Sequence, residues 1–110
     1  MTADRDDHEA EEERDQAPVG HVAAQALASV RRATRIPVAS CESLYGTRGY
    51  RPYFEQQSVD YAIIDVAWNG ILESVKIAAM ADAYEVNVAP HNFNGHLGSL
   101  ISAHFCAAVP

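Results

Sequence analysis

This chain lacks most of the features that assign a protein quickly. No apolar run is long enough to cross a membrane, which excludes a helical span. The first residues are charged rather than apolar, so none of them resembles a secretory signal. There is no G-x-G-x-x-G and no P-loop, and the nucleotide-binding folds lose support accordingly. Cysteine is scarce: Cys41 and Cys106 are the only two, and their separation matches no metal or redox motif. They are expected to be free thiols of a cytoplasmic protein. Basic residues are also few, 8 against 15 acidic ones, and the net charge of −7 argues against a nucleic-acid partner.

What is present fits one small globular domain: 110 residues, 48% hydrophobic and 21% charged. The acidity is local. Met1 to Gln16 holds eight of the acidic residues against Arg5 and Arg14. Residues 1–18 are therefore expected to be a disordered acidic leader, and residues 19–110 the folded domain.

Apolar spacing then outlines the elements. Gly20 to Thr34 reads as a helix with Val22, Ala26, Leu27 and Val30 on one stripe and arginines at its C-terminal end. Ile36 to Ser40 reads as a strand with Pro37 near its start. Cys41 to Tyr53 is a loop hinged at Gly46 and Gly49, followed by a short helix from about Arg51 to Gln57. Val59 to Asp65 is a second strand, apolar on both faces. Asn69-Gly70 makes a turn. In the helix Ile71 to Tyr84, the residues Ile71, Leu72, Val75, Ala78, Ala79 and Ala83 form the stripe, and Met80 is core. Val86 to Ala89 is the third strand, Asn92 to Gly95 a loop, and Leu97 to Val109 a last apolar helix. The order α-β-α-β-α-β-α calls for parallel strands with right-handed crossovers. An open α/β sheet and a slice of a (β/α)8 TIM barrel both accommodate it. A polar residue at the C-terminal end of each successive strand favours the barrel.

Those polar residues are Glu42, Asp65 and His91, spaced by about one βα unit each. Adjacent strands lie about 5 Å apart. Asp65 can then accept from one ring nitrogen of His91, leaving the other for general acid or base work. Glu42 suits a hard cation such as Mg2+.

The stretches Arg31 to Leu44, Tyr61 to Gly70, Lys76 to Tyr84 and Val88 to His91 resemble the C-terminal barrel of the enolase superfamily. The similarity is greatest to its mandelate racemase and acid-sugar dehydratase branch. The resemblance implies a partial barrel, with Glu42 as the last of three Mg2+ carboxylates and Asp65 and His91 as a His-Asp dyad. It implies a sugar-acid substrate whose α-proton is removed while the metal stabilises the enediolate, with dehydration or racemisation to follow. Sites of that superfamily pair a Lys or His base with Mg2+ in this way. Two positions depart from the family pattern: Cys41 stands where Gly usually precedes the glutamate, and Asn69-Gly70 replaces a Gly-Gly turn.

The resemblance starts before the fifth barrel strand and stops before the eighth. The other two metal carboxylates and the lysine base belong to earlier strands, and Lys76, the single lysine, lies on a helix. A partial enzyme that is inactive alone is therefore expected. The alternative is a non-catalytic α/β interaction module that self-associates through exposed barrel edges or pairs with a complementary barrel half.

Each site residue also has a plainer role. Glu42 can pair with Arg48 or Arg51, Asp65 can cap the turn after it, and His91 can be a satisfied loop histidine. Trp68 and Asn92 are rim positions that could line a pocket. His96 is within reach of a substrate pocket but is expected to cap a helix or face solvent, and His104 is expected to be structural.

Overall fold

The computed structural model describes residues 19–110. The predicted acidic leader, residues 1–18, lies outside the described residues. The elements are α1 (Val19–Ala33), β1 (Ala39–Ser40), α2 (Gly46–Glu55), β2 (Tyr61–Asp65), α3 (Val66–Asn69), α4 (Ile71–Ala83), β3 (Asn87–His91) and α5 (Gly95–Ala108). The strands form one parallel sheet in the order β1-β2-β3, as the alternation of elements requires. This is an α/β architecture of parallel strands with intervening helices, which an open sheet and a barrel slice share.

The central strand is tied down at its N-terminal end by Asp60. Its Oδ1 accepts from Arg31 Nε at 2.9 Å and Nη2 at 2.8 Å, and its Oδ2 accepts from the Val38 amide at 2.7 Å. One carboxylate thus fastens α1 and the approach to β1 onto β2. It also explains why β1 is shorter than Ile36 to Ser40. Pro37 has no N–H, and the Val38 amide is taken by a side chain, so the ladder is entered only at Ala39.

Helix α2 starts five residues before the expected Arg51. Its first free amides are met by side chains from later in the chain. Asn69 Oδ1 accepts from Gly46 N at 2.8 Å, and Glu73 Oε1 accepts from Thr47 N at 2.8 Å. The flanking Tyr45 supplies no cap of its own. Gly46 is therefore the first helical residue, at φ 64°, and Gly49 lies inside the helix rather than in a loop hinge. Tyr50 and Phe54, one turn apart, carry the helix into the core, where they meet Ile64 and Ile77.

Two apolar stripes are rotated from those expected. In α1 the buried residues are Ala24 and Ala28, whereas Val22 and Val30 are exposed. In α4 they are Ser74, Ile77, Ala78 and Ala81, whereas Ile71 and Leu72 are exposed. Small side chains face the sheet and α2 because close approach of a helix needs them there. Met80 is partly buried against the core, as expected.

Strand β3 runs two residues beyond Ala89 and includes Pro90 and His91. Among the described residues β3 pairs only with β2, so Pro90 leaves no ladder bond unmade. The following loop folds onto the start of α5: Asn92 Oδ1 accepts from the Asn94 amide at 3.0 Å, and Asn92 Nδ2 donates to Ser99 Oγ at 2.8 Å. Gly98 makes this fit possible, since a Cβ there would stand 2.5 Å from Asn92 Oδ1 and 2.9 Å from Asn94 Cβ.

This packing sets two expected outcomes. Gly98→Ala forces the loop after β3 off α5 and costs about 1–3 kcal/mol in a urea melt. Acid should weaken the fold. The Asp60 carboxyl is held below its ordinary 3.8 by Arg31 and then by the Val38 amide, and Glu73 below its ordinary 4.5 chiefly by the Thr47 amide. Groups lowered on folding contribute stability above those ordinary values and lose it as pH falls through the folded ones. The urea midpoint is therefore expected to drop below about pH 4, with a shallower drop in Asp60→Asn.

Candidate functional site

The β2–β3 register places Asp65 opposite His91 at the C-terminal end of the sheet. Paired residues of parallel strands project to the same face, so register alone brings the two side chains together. Asp65 Oδ2 lies 3.1 Å from His91 Nδ1. The aspartate is fully buried, and the histidine side chain is 35% exposed. One partner is thus shielded from water while the other reaches it.

Asp65 has a second duty. Its Oδ1 accepts from the Trp68 amide at 2.9 Å and caps α3. The capping role and the histidine-orienting role, alternatives in the sequence, are performed together by the two oxygens. A carboxylate at Nδ1 favours a proton on that nitrogen, which would leave Nε2 free to accept one. His91 is accordingly not a loop histidine: it is the last residue of β3.

Glu42 stands apart from this pair. Continuing the β1 register (65 − 22 = 43) would set Ser43, not Glu42, beside Asp65. The chain leaves the strand before that point, at Cys41, whose φ is 92°. This positive φ gives a physical reason for a glycine at that position, because a side chain there costs about 1–3 kcal/mol of backbone strain. The thiol is buried and is pushed up to about 12, first by burial and then by the charge of Glu42.

Glu42 itself is exposed and makes no ion pair among the described residues; Arg51 pairs with Glu55 instead. The plainer role for Glu42 as an arginine partner is therefore not taken up. As a hard oxygen donor it suits Mg2+, yet one carboxylate is not a site. No group of three or more His, Cys, Asp or Glu among the described residues could hold a metal ion. The described residues therefore fit one ligand position and no more.

The remaining candidates divide. Trp68 is on the rim and partly exposed. Asn92 spends its side chain on Asn94 and Ser99 and so shapes the loop rather than lining a pocket. His96 is exposed near the start of α5, and His104, expected to be structural, is exposed too. Lys76 lies 3.8 Å from Glu73 on α4, away from His91. Sequence reasoning missed Tyr45 and Phe93, which join Trp68 at the rim. The available signal was one aromatic residue shortly after each strand. No described helix is long and apolar enough to cross a membrane.

Comparison with known proteins bears on this geometry. Residues 17–110 match the family model described as enolase C-terminal domain-like. The chain is 38% identical over 82 residues to the D-xylonate dehydratase of Haloferax volcanii, covering 74% of this chain and 20% of that protein. Its fold superposes with a TM-score of 0.77 on a proposed L-alanine-DL-glutamate epimerase from Burkholderia xenovorans, at 54% identity over 79% of this chain and 22% of that one. That protein has also been solved with magnesium and fumarate bound. A mandelate racemase/muconate lactonizing enzyme-like protein from Rubrobacter xylanophilus gives 0.74 and 39%, over 78% of this chain and 22% of that one. The chain thus spans about a fifth of the length of the relatives it matches. With strand order, register and these relatives in agreement, the chain belongs to the enolase superfamily, as a segment of its C-terminal barrel domain akin to mandelate racemase-like proteins and sugar-acid dehydratases.

Proposed function

We propose that this chain carries the proton-handling dyad and one metal-ligand position of a Mg2+-dependent enolase-superfamily enzyme acting on sugar acids, as a dehydratase or racemase. The observation that carries this reading is the 3.1 Å contact between buried Asp65 and partly exposed His91 at the strand ends. Kinship to a D-xylonate dehydratase supports the substrate class.

In this mechanism Asp65 keeps the Nδ1–H of His91 in place and stabilises the imidazolium when it forms. His91 Nε2 takes the proton from the carbon α to the substrate carboxylate. In a dehydration it returns a proton to the β-hydroxyl, whose C–O bond breaks as water leaves. Glu42 would be one ligand of Mg2+, which when bound supplies positive charge beside the substrate carboxylate.

The described residues present one unpaired carboxylate at the rim, and the chain's single lysine sits elsewhere on α4. On this reading the described residues do not by themselves complete an active site. Purified chain with Mg2+ and a panel of sugar acids should give no turnover; turnover abolished by His91→Ala would overturn this. The non-catalytic module is not favoured, because the relatives carry enzyme names.

The dyad has its own test, independent of turnover. In Asp65→Asn the amide oxygen can still cap the Trp68 amide, while the amide N–H faces His91 Nδ1. The tautomer should switch from Nδ1–H to Nε2–H, as read from imidazole 15N shifts at a pH where the ring is neutral. An unchanged tautomer would remove the dyad.

A further inference from the structure

Three aromatic side chains, one following each strand, meet on the rim beside the dyad. Tyr45 and Trp68 are stacked, with ring centroids 5.7 Å apart and planes 8° from parallel. Phe93 meets Trp68 edge-on at 6.2 Å, and the row continues to His91 at 5.3 Å. These rings do not serve the core. Tyr45, Trp68 and Phe93 are 60%, 42% and 64% exposed, whereas Tyr50 and Phe54 are fully buried. Contacting aromatics left in water mark a binding surface more often than a structural one.

We propose that Tyr45, Trp68 and Phe93 form a platform for the hydroxylated carbon chain of the substrate and set a preference for polyhydroxylated acids over short hydroxy acids. This rests on the sugar-acid reading above. The row ends against His91, so a carbon chain lying along it is delivered to the ring that moves the proton. An aromatic face is electron-rich and apolar. It suits the C–H face of a polyol, whose hydroxyls need polar partners at the edges. The Tyr45 hydroxyl has no hydrogen-bond partner among the described residues and is available for that purpose. A protein occupant fits less well, since a stable interface covers about 800 Å² per partner and three part-exposed rings offer much less.

Trp68 is the chain's only tryptophan, so its fluorescence reports directly on the platform. The chain would be titrated with D-xylonate, with xylitol as the uncharged polyol, and with lactate as a short hydroxy acid, while His91 is followed by imidazole NMR. A saturable Trp68 response is expected with xylonate and xylitol and not with lactate. Tyr45→Ser and Phe93→Ser should each weaken it about fivefold, with circular dichroism unchanged because both side chains are exposed. An equal response to lactate, or no Trp68 response to either polyol, overturns the platform. His91 shifts with xylonate but no Trp68 response would leave the dyad standing without the platform. A Trp68 response together with an unchanged tautomer in Asp65→Asn would do the reverse.

Discussion

A buried carboxylate at the end of the central strand holds the site together. Asp65 is out of contact with water, and a charge in that position is tolerated only if its oxygens are satisfied. One oxygen takes the Trp68 amide and the other faces the His91 ring. The first bond sets where α3 begins and the second fixes a ring on the neighbouring strand. The helix start, strand register and ring orientation therefore depend on one another, and loss of either partner leaves a buried oxygen with an uncompensated desolvation cost.

The same strand has a second aspartate just before its first residue. Asp60 gathers α1 through Arg31 and the approach to β1 through Val38, whereas Asp65 gathers α3 and β3. The two differ in environment. Asp60 is partly exposed and satisfied by an arginine, so its role is structural. Asp65 is enclosed and points to a ring that reaches solvent. The apolar residues between them, Ala62 and Ile64, keep the strand in the core.

How much of this was legible in the sequence depended on whether the cause lay nearby in the chain. The strand-end positions of Asp65 and His91 were legible because a βα unit has a characteristic length, and parallel register then does the rest. The start of α2 was not, because its caps come from Asn69 and Glu73, more than twenty residues later. The stripes of α1 and α4 were obscured because both helices are apolar on more than one side. Periodicity finds an apolar face, but packing chose the alanine faces and left Val22, Val30, Ile71 and Leu72 outside. The aromatic rim was overlooked because its members follow three different strands, and no local pattern joins Tyr45 to Trp68 and Phe93.

The unusual backbone at Cys41 has a practical consequence. Its thiol is enclosed, stays protonated at neutral pH and directly precedes Glu42, while Cys106 is exposed on α5. Thiol-specific reagents must reach the sulfur, so the two cysteines differ in access. Cys106 serves as the internal reference and Cys41 as a clock for how often the Glu42 turn opens. The chain thus carries a built-in probe of the turn that leads into Glu42, readable without adding a label or changing a residue.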